Sequence, residues 1–125
     1  MATNPVDGGC LCGDVRYRLG GNVARGGLCH CGNCRRAGGA PSVAWVLVEA
    51  DDLAFTRGKP TTYAYTRDDG VPTRRGFCGR CGTQLTYESD GDSEVGITTG
   101  SLDDPERFPP GGVIWEEEKL SWVDG

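Results

Sequence analysis

A chain of 125 residues with a formal net charge of -5 is one domain of ordinary size, and its acidity argues against a nucleic-acid partner. Leu, Ile, Val and Phe supply only 23 residues against 21 glycines and 7 prolines, so the core is thin and turns are abundant. No run approaches the roughly 18 apolar residues of a membrane span, and an odd count of seven cysteines excludes a fully disulfide-paired secreted fold.

In chain order, residues 1–7 have no basic start and no apolar run, so no secretory leader is read. The expected compartment is the cytoplasm, where thiols stay reduced and clustered cysteines hold metal or do chemistry. Cys10-Leu11-Cys12 comes next, followed by a strand predicted over residues 14–19. There Val15, Tyr17 and Leu19 share one face, with Arg16 and Arg18 on the other. Cys29-His30-Cys31-Gly32-Asn33-Cys34 then places three thiols within six residues. A helical turn is predicted over residues 33–37, stopped by Gly38-Gly39. Further strands are predicted over 42–49, 53–57, 61–66, 73–78, 84–88 and 94–99. Turn signals separate them, as in Gly58-Lys59-Pro60 and Asp68-Asp69-Gly70. Cys78-Gly79-Arg80-Cys81 closes the cysteine-bearing region. The tail Glu116-Glu117-Glu118-Lys119 reads as a solvated turn or edge. No linker divides the chain, so residues 1–125 read as a single, mainly β domain of short antiparallel sheets.

The cysteine spacing carries the chemistry. Extended backbone points the thiols of Cys10 and Cys12 the same way, and a Cys-x-x-Cys turn brings Cys78 and Cys81 to one ion. Together these four make a closed tetrahedral zinc site that compensates for the thin core. Cys29, Cys31 and Cys34 remain. Three protein ligands leave a zinc position for water or substrate. An Asp, Glu or His from elsewhere would close it, and a different partition would join Cys34 to Cys78 and Cys81. His30, the only histidine, lies between two candidate ligands and points away from them if both face one ion. Its expected role is behind the ligands or at the surface. Arg35, Arg36, Arg74 and Arg75 flank the cysteines; such cations lower thiol pKa values or bind the carboxylates of a small substrate. Trp45, Trp115 and Trp122 are expected to be buried rather than to form a contact surface.

These motifs resemble a known family. Gly9-Cys10-Leu11-Cys12-Gly13 with Val15-Arg16-Tyr17, Cys29-His30-Cys31-Gly32-Asn33-Cys34-Arg35-Arg36, the run from Arg75 through Cys78-Gly79-Arg80-Cys81 to Leu85, and Gly100-Ser101-Leu102-Asp103-Asp104-Pro105 are similar to ordered motifs of the glutathione-dependent formaldehyde-activating enzyme (GFA/CENP-V) family. The resemblance covers about residues 6–122. It implies a β-tent fold, in which sheets lean together over a zinc site. It implies a structural zinc on Cys10, Cys12, Cys78 and Cys81, and a second, catalytic zinc on Cys29, Cys31 and Cys34. Family members often carry His-Ile-aromatic near the C-terminus, where this chain has Val113-Ile114-Trp115, and a Pro-Trp that is here Ser121-Trp122.

The expected function is a zinc-dependent carbon–sulfur lyase of the S-(hydroxymethyl)glutathione synthase type. It would join glutathione or a related thiol to a small aldehyde such as formaldehyde. Coordination at the open position would strip the thiol proton, and no residue in the sequence stands out as proton donor to the product. The alternatives are a non-catalytic thiol carrier using the same residues, or a zinc scaffold for protein contact.

Overall fold

Short alternating runs become ten strands and one α-helix among residues 5–123, which the computed structural model describes. The first four residues of the N-terminal stretch read for a leader lie outside them. Strands β1 (Val6–Gly9), β2 (Arg16–Leu19) and β5 (Leu53–Arg57) form a small antiparallel sheet in the order β1-β2-β5. The larger sheet holds β3 (Ala24–Cys29), β4 (Val43–Glu49), β6 (Thr61–Thr66), β7 (Pro72–Phe77), β8 (Gln84–Ser89), β9 (Glu94–Thr98) and β10 (Gly112–Ile114). Its order is β10-β3-β4-β9-β8-β7-β6.

One pairing departs from the antiparallel expectation. β10 runs parallel to β3, with Gly112 opposite Gly27 and Ile114 opposite Cys29. A parallel pair needs a long connection, and here most of the chain intervenes.

The large sheet is apolar on both faces where β4 crosses it. Val46 and Val48 face the small sheet and join Val15, Tyr17, Leu19, Leu85, Val95 and Ile97 in the main core. Trp45, one residue away, packs with Cys29 and Cys34 on the opposite face. Burial on both faces explains why residues 43–48 read as a continuous apolar run. Val46, Leu85 and Ile97 are fully enclosed, each stabilising the fold by about 1.5–3 kcal/mol. Cys10 and Cys78 belong to the same core, so the sheets lean together over a thiol group, as a β-tent does.

Three strands escape a pattern reading: β1, β3 and β10. For β1 and β3, glycine is the reason. A Cβ on Gly8 would collide with the Tyr17 hydroxyl, and one on Gly26 would lie 2.7 Å from the Trp45 carbonyl oxygen. These positions need close backbone approach rather than a side chain to pack. Helix α1 (Gly32–Gly38) matches the predicted turn, and Gly39 ends it at φ 61°. Among the described residues no helix is long and apolar enough to cross a membrane.

Candidate metal centres

Cys10 and Cys12 lie in the connection between β1 and β2, and Cys78 and Cys81 in the turn between β7 and β8. Their four sulfurs all lie within 4.8 Å of one another. Cys10 Sγ is 3.6 Å from Cys12 Sγ, which is 3.7 Å from Cys78 Sγ. A tetrahedral zinc with Zn–S bonds of about 2.3 Å would space its sulfurs about 3.8 Å apart, so the donor set fits. All seven cysteines are free thiols. Backbone amides point at the sulfurs: Val15 N–H donates to Cys10 Sγ at 3.2 Å, and Arg80 and Cys81 N–H to Cys78 Sγ at 3.4 Å. Against the cost of burial, the Val15 amide favours the Cys10 thiolate. Hydrogen bonds from Thr83 hold the Cys81 thiol down at about 5.

The second group is built locally. Cys29 ends β3, Cys31 caps α1, and Cys34 sits in its first turn, with all three sulfurs within 4.8 Å. Cys31 Sγ accepts the Cys34 N–H at 3.3 Å, satisfying an amide that the helix start leaves free. Cys34 Sγ also accepts from Arg75 Nη2 at 3.6 Å. A hydrogen bond from Cys29, with Arg75 behind it, holds the Cys34 thiol at about 5. Giving that bond, together with burial, pushes the Cys29 thiol up. Among the described residues no carboxylate or imidazole joins this trio. Cys34 sits with Cys29 and Cys31, not with Cys78 and Cys81.

The trio opens onto a cavity of about 610 Å³, within the usual range for small-molecule sites. Its wall is one face of the large sheet. Arg75, Tyr87, Gly96 and Leu47 lie opposite one another across β7, β8, β9 and β4. Without a side chain, Gly96 leaves room for the Trp45 indole, which would approach a Cβ there to 3.2 Å. Trp45 meets Tyr87 at 5.9 Å between ring centroids. The Arg75 guanidinium lies 4.8 Å from the Tyr87 centroid and donates from Nε to Tyr65 Oη at 2.9 Å. Arg67 grips Asp69 through Nε and Nη2, and its Nη1 donates to Tyr87 Oη at 2.9 Å. Ile114, Trp115 and Glu118 from the tail complete the lining.

Of the four flanking arginines, Arg75 is in the cavity wall and only 6% exposed. Arg74, its neighbour on β7, pairs instead with Asp90 at 2.8 Å and Glu88 at 3.8 Å. Arg35 and Arg36 lie on α1 outside the lining. His30 is wholly buried, belongs to neither thiol group, and among the described residues has no partner for either ring nitrogen; its backbone N–H donates to the Ile114 carbonyl at 3.1 Å. Val113 is 45% exposed and outside the lining. Trp45 is buried as expected, but Trp115 and Trp122, which follow the edge strand β10, are exposed. Sequence reasoning missed Tyr65, Arg67, Tyr87 and Glu118. The tyrosines read there only as strand formers and Glu118 as part of a solvated turn, while Arg67 carried no signal.

A search of curated proteins finds no match. Among solved structures, a crystal structure of a Rhodobacter sphaeroides protein shares 23% identity at a TM-score of 0.57, covering 78% of this chain and 87% of that one. That likeness speaks to the fold alone. The family model for the glutathione-dependent formaldehyde-activating enzyme matches residues 5–118. A match over nearly the whole length shows that the chain belongs to the glutathione-dependent formaldehyde-activating enzyme family.

Proposed function

We propose that this protein is a zinc-dependent carbon–sulfur lyase of the cytoplasm, working as a single domain. It joins glutathione or a related thiol to a small aldehyde such as formaldehyde. The observation that carries this reading is the three-thiol group facing a cavity, with no fourth protein ligand among the described residues. Cys10, Cys12, Cys78 and Cys81 would hold a structural zinc, and Cys29, Cys31 and Cys34 a second one. When bound at the trio, zinc supplies the positive charge that ionises a thiol at neutral pH, where a free thiol of pKa about 8.5 is mostly protonated.

The chain's own residues do the rest. Arg75 offsets the charge gathered on the trio through its bond to Cys34 Sγ. Trp45 and Tyr87 give the cavity an apolar wall that takes up the substrate's carbon skeleton and limits water. Of the four flanking arginines, Arg75 is the one that lines the cavity.

The test measures zinc content, glutathione binding and the rate of S-hydroxymethylglutathione formation for wild type and Cys31→Ser. Two zincs, binding and acceleration are expected for wild type, with one zinc and no binding for the variant. Unchanged binding in a folded Cys31→Ser protein with one zinc defeats the reading. Binding without acceleration favours a thiol carrier.

A further inference from the structure

Addition of a thiol to an aldehyde turns the carbonyl oxygen into an alkoxide, which needs a proton. Of the three carboxylates that line the cavity, Asp69 and Glu118 are already engaged. An ionised carboxylate only accepts hydrogen bonds. Asp69 is held below the usual carboxylate range by its hydrogen bonds from Arg67, and Glu118 already accepts the Gly32 N–H at 3.1 Å.

Tyr65 differs. Its Oη accepts from Arg75 Nε at 2.9 Å, and among the described residues its own O–H donates to no protein group. The Nε and Nη2 of an arginine lie on the same edge of the guanidinium plane, a fork that commonly embraces both oxygens of a carboxylate. Here one prong takes Tyr65 Oη and the other takes Cys34 Sγ at 3.6 Å. The phenol and the thiol trio are therefore held side by side, and both line the cavity. Arg75 is buried against the Tyr87 ring at 4.8 Å, which keeps the fork from swinging.

We propose that Tyr65 is the general acid of the reaction, an inference that rests on the lyase reading above. The sulfur lone pair forms the C–S bond as the π pair of the C=O bond moves to oxygen. That oxygen takes the Tyr65 phenolic proton. Arg75 stabilises the phenolate left behind, which regains a proton from the one released by the incoming thiol. Nothing is oxidised or reduced.

The experiment compares zinc-loaded wild type, Tyr65→Phe and Tyr63→Phe; the last removes an exposed hydroxyl outside the cavity lining. Tyr65→Phe is expected to keep two zincs and its thiol KM while kcat falls roughly 100-fold, the lower end for a general acid. Tyr63→Phe should match wild type. A Tyr65→Phe rate equal to wild type overturns the proposal. A second readout needs no turnover: calorimetric binding of 2-mercaptoethanol against ethanethiol. Wild type should prefer the hydroxyl-bearing thiol by roughly three- to tenfold, the worth of one hydrogen bond, and Tyr65→Phe should erase the preference. Equal affinities in wild type also overturn it. A wild type that shows the preference but no acceleration defeats the lyase reading alone, leaving Tyr65 as the donor to an oxygen beside the bound sulfur.

Discussion

Glu118 Oε1 accepts the Gly32 N–H at 3.1 Å, tying the tail to the first residue of α1 across 86 positions. That helix carries Cys34, and its first amides have no partner within the helix. Trp115 turns the chain from β10 into this contact at φ 54°, in the left-handed region, at a cost of about 1–3 kcal/mol for a residue with a side chain. The clamp offsets that cost. Glu118→Ala should release the tail, weaken glutathione binding several-fold and change the melting temperature little. Glu118→Gln, which keeps an acceptor, should bind nearly as wild type. Calorimetric titration and a thermal melt on the same samples decide it.

Arg75 donates to the Sγ of Cys34, a ligand of the proposed second zinc, and partners of that kind typically contribute 10–100-fold in metal affinity. Arg75→Met should weaken the second zinc by roughly that factor and leave the four-thiol zinc unchanged. Competition with a graded series of chelators separates the two sites. A uniform loss from both would show that the substitution acts on the fold instead.

The two thiol groups should differ in what they do for stability. Cys78 is part of the main core, and its Sγ meets Cys12 Sγ across 66 positions. Structural zinc in peptide models contributes about 10–16 kcal/mol, so Cys78→Ser or strong chelation should abolish the near-ultraviolet circular dichroism signal. Cys31→Ser should remain folded with a melting temperature near that of wild type.

Gly8 sits directly against the Tyr17 hydroxyl and the Ser101 carbonyl. Tyr17 is 1% exposed and its Oη is 2.6 Å from Ser101 Oγ. Gly8→Ala forces a methyl group into this contact and should destabilise the protein by about 1–3 kcal/mol, the usual cost of overpacking. Denaturant titration with zinc in excess measures it.

Asp103 accepts from Arg16 Nη1 at 2.9 Å, and that bond holds its carboxyl below the usual range. A depressed carboxylate contributes stability above its unfolded pKa and loses it as pH falls through the folded value. Asp103→Asn should therefore melt slightly below wild type at pH 7, with the gap closing as pH drops below about 4. Both partners are partly exposed, so the effect is small.

Much of the fold was legible where side chains alternate. β5 and β6 have the bounds that alternation predicts, and in β2 Tyr17 and Leu19 are buried with Arg18 outward. β1 and β3 were not legible, because glycines placed for close backbone approach leave no hydrophobic pattern. β10 was hidden for another reason: its partner is β3, and no local signal records a parallel pairing across most of the chain.

The seven cysteines mark the boundary between what the chain's order determined and what its folding decided. Thiols at i, i+2 and i, i+3 are close enough to share an ion, so the trio and the two pairs could be read directly, although Cys10 and Cys12 converge from a turn and not from the extended backbone expected. That the two pairs meet depended on how the sheets close. The cavity was decided wholly by tertiary structure. Arg74 and Arg75 are adjacent in sequence and chemically identical, yet one pairs with Asp90 and the other forks between Tyr65 and Cys34. Neighbours on a strand face opposite ways, and only the packing of the sheet determines which face receives the site.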